Sequence, residues 1–67
     1  MVGSRIKAYI DESGMDYGTV AEKAGIKRRI FSAMLNEKRK IKTDEYYLIC
    51  KAMDVPLNQF VGQGEVD

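Results

Sequence analysis

The sequence predicts an all-α fold in which five short helices form one compact domain over residues 1–67. Apolar residues near the start of the chain recur at the spacing of one helical face, namely Val2, Ile6, Tyr9 and Ile10. Similar patterns follow, separated by glycines at positions 14 and 25 and by Pro56. No stretch alternates apolar and polar residues long enough to predict a strand. A chain of this length has room for one hydrophobic core.

The first two helices are predicted over residues 2–13 and 17–24. Gly14 is the stop signal of the first helix. Asp16 is an N-cap candidate for the second helix, because its carboxylate can accept a backbone N–H of the first turn. Gly25 provides a residue that adopts positive φ without strain, which predicts the end of the second helix.

A third helix is predicted over residues 28–36, from the helical spacing of Ile26, Ile30, Phe31, Met34 and Leu35. Only about three residues, including Gly25, separate it from the second helix, which predicts a helix-turn-helix unit over residues 17–36. Ala21 lies four residues before Gly25, and small residues at both points let the two helices approach closely. The alternative is a generic helical hairpin within a bundle.

A fourth helix is predicted over residues 44–53. Thr43 is its N-cap candidate, and Asp44 and Glu45 are favourable at the positive end of the helix dipole. The apolar positions of this helix are Tyr47, Leu48, Ala52 and Met53. Of the adjacent pair Tyr46 and Tyr47, we expect one ring to pack and the other to be exposed.

The end of the chain predicts one more short helix and a tail. Asp54 tolerates the left-handed conformation that ends a helix, and Pro56 has the fixed φ of a helix start. We therefore expect a fifth helix over residues 57–61, followed by a frayed tail at residues 62–67.

Positive charge is concentrated in residues 25–42. This segment has seven of the eleven basic residues and one acid, Glu37, which gives a net charge of +6. The other four basic residues face nine acids, which gives −5 and a total of +1. The basic residues of the segment are Lys27, Arg28, Arg29, Lys38, Arg39, Lys40 and Lys42.

Composition argues against several function classes. The chain has no histidine and a single cysteine, Cys50, so a structural zinc site and an internal disulfide are not expected. No apolar run is long enough for a membrane span or a secretory signal, which predicts a cytoplasmic protein. Without histidine or a glycine-rich phosphate loop, the chain is not expected to be an enzyme or to need a cofactor or a small-molecule substrate.

Three segments together resemble a known family. They are VAEKAGI at residues 20–26, IFSAMLNEKR at residues 30–39 and LICKAMDVPLNQF at residues 48–60. They are similar to the Cro and cI type of phage repressor domain, the XRE helix-turn-helix family, and the resemblance covers residues 3–61. It implies a five-helix, lambda repressor-like fold that binds duplex DNA sequence-specifically, commonly as a dimer on a two-fold operator.

The chain departs from the family pattern at three places. Tyr17 stands where a glutamine often opens helix 2 and contacts a phosphate. Glu37 replaces a common glycine after Asn36. Ile10 and Leu35 stand where many members pair an arginine with a glutamate, and replacing both partners of a mostly buried ion pair by packed apolar groups is often neutral or stabilising. We therefore predict that Ile10 and Leu35 contact each other.

The resemblance also implies roles for the basic segment. The N-terminal turn of the third helix would enter the major groove, where arginine can donate two hydrogen bonds to guanine. The residues expected to read bases are Arg28, Arg29, Ser32 and Ala33. Those expected to contact phosphates are Tyr17, Lys27, Asn36, Lys38, Arg39, Lys40 and Lys42. Three alternatives remain: both arginines bind only phosphate, Ser32 lies half-buried against helix 2, and the loop cations form an ordinary solvated surface.

The implied function is a transcriptional regulator of phage or mobile-element type, a repressor in most such cases. The chain has no room for a separate oligomerisation domain, so a homodimer would use Leu57, Phe60 and Val61 with the outer face of helix 4. The alternative is that these three residues only close the core. The alternative function is a protein-binding module, either an antitoxin or an accessory factor whose basic face meets an acidic protein.

Overall fold

Four α-helices account for the secondary structure of the described part of the chain. The computed structural model describes residues 2–61, and within them it contains no strand. The helices are α1 (Val2–Ser13), α2 (Tyr17–Ala24), α3 (Arg28–Leu35) and α4 (Thr43–Met53). The predicted all-α class is confirmed for these residues. The tail predicted at residues 62–67 lies outside the described part.

The local signals for the helix ends are confirmed. Gly14 and Gly25 have φ values of 71° and 72°, and the chain leaves α1 and α2 there. The Asp16 carboxylate accepts the backbone N–H of Thr19 at 2.8 Å, so it caps α2. Asp54 ends α4 in the left-handed conformation with φ 57°.

The start of α4 differs from the prediction. Thr43 is the first residue of the helix and Lys42 occupies the N-cap position, so Thr43 is not the cap. Glu45 takes over this function from inside the helix, because its Oε1 accepts the backbone N–H of Lys42 at 2.9 Å. The same carboxylate also binds Arg39, which lies in the loop before the helix.

The predicted fifth helix is not formed within the described residues. Residues 57–60 adopt turns and bends, with one backbone hydrogen bond from Gln59 N to Pro56 O at 3.1 Å. Side chains from other helices bind the backbone of this segment instead. The Tyr46 hydroxyl donates to Leu57 O and accepts from Phe60 N, and Arg5 donates to Phe60 O at 3.0 Å. These bonds replace those of a short helix, whose nucleation is costly.

All four helices and the C-terminal turn contribute to one hydrophobic core. Its largest fully buried side chains are Phe31, Ile6, Ile10, Met34, Ile49 and Cys50. Tyr46 is buried and Tyr47 is half exposed, as predicted. Burial raises the pKa of the Cys50 thiol and raises that of the Tyr46 hydroxyl to about 12. Ile10 and Leu35 are both buried in this core, on helices that pack against each other.

The start of α1 lies directly on the end of α3. A Cβ atom at Gly3 would lie much closer to the Met34 carbonyl oxygen than van der Waals contact allows. Beyond α3, Glu37 adopts φ 60°, which is uncommon for a residue with a side chain. Its carboxylate accepts the backbone N–H and the hydroxyl of Ser4 at 2.7 and 2.9 Å. Glu37 therefore provides a carboxylate for the first turn of α1.

A Gly3→Ala substitution tests this contact. Alanine normally stabilises a helix relative to glycine by up to about 1 kcal/mol. Here the added methyl must push α1 away from α3, and we expect the free energy of unfolding to fall by about 1 to 3 kcal/mol. Urea denaturation monitored by circular dichroism measures the change. Gly18→Ala is the matched control, because its methyl meets only the guanidinium of Arg28, which can move aside. Equal effects of the two substitutions would contradict the close packing at Gly3.

The predicted contact between Ile10 and Leu35 can be tested by introducing an ion pair at these two positions. Leu35→Glu alone leaves an unpaired charge in the core and should lower the free energy of unfolding by about 3 to 5 kcal/mol. Ile10→Arg added to it should recover at least about 1 kcal/mol, because the two charges then pair. Thermal melts of both single variants and the double variant give the coupling. Additive losses would show that the two side chains do not contact each other.

Candidate nucleic-acid interface

One exposed face of α3 holds all the residues that the sequence assigns to this helix for DNA contacts. Phe31, Met34 and Leu35 are buried on the opposite side. At about 100° per residue, the remaining positions form one continuous arc. The residues on this arc are Arg28, Arg29, Ser32, Ala33 and Asn36, of which all but the half-buried Ala33 are exposed.

The first turn of α3 lacks the carboxylate that lies in, or binds to, the first turn of each other helix within residues 2–61. Its cap position and first two residues are the cations Lys27, Arg28 and Arg29, with no acidic residue in the first turn and no side-chain cap. Cations are unfavourable at a helix N-terminus, by a few tenths of a kcal/mol to about 1 kcal/mol each. In contrast, carboxylates bind or lie in the first turns of α1, α2 and α4, supplied by Glu37, Asp16 and Glu45.

Arg28 lies across the turn between α2 and α3. Its guanidinium is so close to Gly18 that a Cβ atom there would lie 2.5 to 2.8 Å from three of its atoms. Hydrogen bonds from Thr19 lower the pKa of the nearby Asp16 carboxyl, and the charge of Arg28 lowers it further. Arg28 is therefore oriented by the first turn of α2. Arg29 has no hydrogen-bond or ion-pair partner among residues 2–61 and extends into solvent.

A groove of about 460 Å³ separates the start of α2 from α3. Its lining includes Phe31 and Leu35, which are buried core residues, and polar groups from three helices. The polar residues are Lys7, Asp16, Tyr17, Arg28, Ser32 and Asn36. The groove has both positive and negative side chains, so its charge is mixed, unlike that of the start of α3.

Tyr17 has an internal partner. Its hydroxyl donates a hydrogen bond to Asp11 Oδ1, and this bond raises the pKa of the phenol. Lys7 lies 3.8 Å from the other oxygen of Asp11. The hydroxyl proton that a phosphate would accept is therefore directed towards a carboxylate, which also repels anions.

The loop after α3 contains three exposed lysines and an arginine that binds Glu45. Arg39 makes two hydrogen bonds to Glu45, at 3.1 and 3.0 Å, so this guanidinium connects the loop to the start of α4. Lys38, Lys40 and Lys42 are exposed. Three of the four loop cations thus have side chains on the surface, whereas the fourth stabilises the loop.

The polar residues of α3 also interact with each other. Asn36 Nδ2 donates to the backbone oxygen of Ser32 at 2.9 Å and lies 3.3 Å from its hydroxyl. Ser32 is exposed rather than half-buried against α2. A phosphate contact by the amide group of Asn36 would have to share or replace these bonds.

The three residues predicted for a dimer interface occupy different environments. Phe60 is buried, with its ring edge-on to Tyr9 at 5.4 Å and to Tyr46 at 6.5 Å. Phe60 therefore closes the hydrophobic core, which was the alternative role predicted for the three residues. Val61 is half-buried, and Leu57 is 52% exposed.

Three features of this surface were not predicted from the sequence. They are the contact between Arg28 and Gly18, the position of Lys7 in the groove, and the hydrogen bonds from Ser4 to Glu37. Each of them joins residues that are ten or more positions apart. A small residue in the first turn of a helix, such as Gly18, indicates that a side chain from a neighbouring helix can lie close to that turn. Glu37, the one acid in a basic segment, is the corresponding signal for an internal partner.

Metal-binding and membrane-spanning features were sought in the same residues. No group of three or more Asp, Glu, Cys or His side chains within residues 2–61 could hold a metal ion. In this part of the chain, no helix has both the length and the apolar character needed to cross a membrane. Comparisons with protein-family models, curated proteins and solved structures find no match for this chain.

The pairing of Glu45 predicts a pH dependence. Hydrogen bonds from Arg39 and from the Lys42 N–H lower the pKa of this carboxyl. Its contribution to stability is present above the ordinary glutamate pKa of about 4.3 and is lost as the pH falls through the lower value of the folded state. We expect Glu45→Gln to cost about 1 kcal/mol at pH 7 and much less at pH 3.

Urea denaturation at both pH values measures this difference. Glu22→Gln is the control, because the Glu22 side chain is exposed and has no partner among residues 2–61. A cost for Glu45→Gln that is the same at both pH values would contradict an ionic role of the carboxylate.

Proposed function

We propose that the protein is a sequence-specific, double-stranded DNA-binding transcriptional regulator of the Cro/cI type, a repressor that works in the cytoplasm without catalysis or cofactor. Its α3 is the recognition helix and lies in the major groove. A groove about 12 Å wide admits one α-helix, whose diameter with side chains is about 10 to 12 Å. The proposal includes a lambda repressor-like arrangement of the helix-turn-helix unit.

The observation that best supports this proposal is the cluster of three cations at the start of α3. Carboxylates stabilise the N-termini of the other helices, whereas Lys27, Arg28 and Arg29 destabilise this one. Local rules of stability are most often broken where function requires it. A polyanion near these residues would offset the repulsion, and its charges would meet the exposed backbone N–H groups of the helix start.

The geometry supports a division of roles among the basic residues. Arg29 is free to extend towards guanine O6 and N7, and Arg28 is held beside α2 in an orientation that limits its reach. We assign base reading to these two arginines, with Ser32 and Ala33 one turn further along α3. Lys27 and the exposed loop lysines Lys38, Lys40 and Lys42 contact phosphates, which fix register without reading sequence.

Three residues from the sequence prediction receive lesser roles in this proposal. Arg39 orients the loop through Glu45, Tyr17 binds Asp11, and Asn36 binds Ser32. Each of these three side chains would have to break its bond within the chain before it could contact a phosphate. The loop lysines therefore supply most of the salt-dependent part of the affinity.

A second candidate function is a protein-binding module, such as an antitoxin or an accessory factor. The exposed apolar residues Tyr47 and Leu48 on α4 favour it, because such residues are enriched at protein interfaces. A module of this kind would bind a protein partner and show no preference among DNA sequences.

Selection of bound duplexes from a random pool, at fixed and near-physiological salt, tests the proposal. We expect the wild-type chain to recover a defined motif, and Arg29→Ala to lose preference at one or two positions of it, because a bidentate contact to guanine is worth about 1 to 3 kcal/mol. Lys23→Ala is the control: it removes one exposed cation from the far end of α2. It should leave the motif unchanged.

The salt dependence of binding separates phosphate contacts from base contacts. Replacing Lys38 and Lys42 by alanine should reduce the slope of log K against log salt by about 2 and leave the motif intact. Recovery of no motif by the wild-type chain would overturn the proposal in favour of non-specific binding or a protein partner.

A further inference from the structure

Gly18 lies in the first turn of α2, against the side chain of Arg28. A Cβ atom on Gly18 would lie 2.5 Å from Nη2, 2.7 Å from Cζ and 2.8 Å from Nε of the Arg28 guanidinium. These three atoms extend across the guanidinium, so the whole group lies beside the backbone of residue 18. Non-bonded carbon atoms pack about 3.5 to 4.0 Å apart. Any side chain at position 18 would therefore displace the guanidinium.

A carboxylate next to Gly18 favours a cation at this place. The N-terminus of α2 has the positive end of the helix dipole, which by itself repels arginine. The Asp16 carboxylate caps this end by accepting the backbone N–H of Thr19. Hydrogen bonds from Thr19 lower the pKa of Asp16, and the positive charge of Arg28 lowers it further. The guanidinium thus lies where residue 18 leaves room and where Asp16 supplies the opposite charge.

We propose that Gly18 is a specificity-determining residue, because the room that it leaves on the first turn of α2 sets which base edge the Arg28 guanidinium can reach. The inference rests on the proposed function and assigns a role in base recognition to a residue that has no side chain to contact a base. Gly18 is a positioning residue in this proposal, since it acts through Arg28.

The two arginines of α3 then read DNA in different ways. The Arg28 guanidinium has a fixed place in the free protein, so little side-chain entropy is lost when it binds. Arg29 extends into solvent and has to be ordered on binding. Two hydrogen bonds to guanine O6 and N7 require a defined geometry, and an arginine held by its neighbours supplies that geometry at one base pair only. Residue 18 therefore affects the base pair that Arg28 reads and leaves the one that Arg29 reads unchanged.

Gly18→Ala tests this inference with a single methyl group. Alanine is the better helix former, so the variant is expected to fold at least as well as the wild type. Duplexes selected from a random pool should show a preference that falls at least about fivefold, or passes to another base, at one base pair. A bidentate contact to guanine discriminates by about 5- to 150-fold, which sets this scale. Arg28→Ala identifies the base pair concerned, because it blurs the same position.

The same substitution in an Arg28→Ala background is the matched control. The methyl group meets no guanidinium there, so the double variant should select the same motif as Arg28→Ala alone. Changes of equal size in both backgrounds would show that the methyl group acts on DNA or on α2 directly, which overturns the inference. A motif that Gly18→Ala leaves unchanged in the wild-type background overturns it as well, while the proposed function stands.

The Asp16 carboxyl reports the position of the guanidinium in the absence of DNA. Displacement of Arg28 removes a positive charge that lowers the pKa of Asp16. Titration of Asp16 by NMR should therefore give a higher pKa in both Gly18→Ala and Arg28→Ala than in the wild type. An unchanged pKa in Gly18→Ala would show that the guanidinium stays in place, and this result overturns the inference alone. Recovery of no motif by the wild-type chain overturns the proposed function and the inference together.

Discussion

The close contact between Gly3 and the Met34 carbonyl determines how α3 is held in this fold. At the other end of α3, the turn at Gly25 sets the direction in which the helix leaves α2. A recognition surface must be held at a fixed orientation by its supporting elements. Backbone groups at both ends of α3 fix its position. The side chains of its exposed arc can therefore change without changing the direction of the helix.

Three acidic residues of this small protein stabilise helix starts. Glu37, the one acid of the basic segment, binds the first turn of α1. Asp16 and Glu45 have the same function at α2 and α4. The distribution leaves the start of α3 as the one helix N-terminus within residues 2–61 that has no carboxylate in its first turn or bound to it.

Three signals that lie within a few residues of their partners were predicted correctly, whereas the predicted cap at Thr43 was wrong because Lys42 occupies that position. Asp16, Gly25 and Asp54 each act through the backbone of their own helix, so the sequence is sufficient to interpret them. The fifth helix was wrong because Tyr46 and Arg5, which are 11 and 55 residues away from their acceptors, bind the backbone of this segment. The partners of Arg28 and Glu37 escaped prediction for the same reason, since each depends on how the helices pack.

Positive charge is concentrated in one segment of the chain although its net charge is only +1. The exposed side chains of Lys27, Arg28, Arg29, Lys38 and Lys42 produce a local positive field, and such a field orients a protein towards a nearby polyanion before contact. Encounters would therefore begin with the basic side forward more often than random collision allows. The same asymmetry should let the protein bind a cation-exchange resin near its isoelectric point of about 7.8, where a protein of evenly mixed charge would pass through.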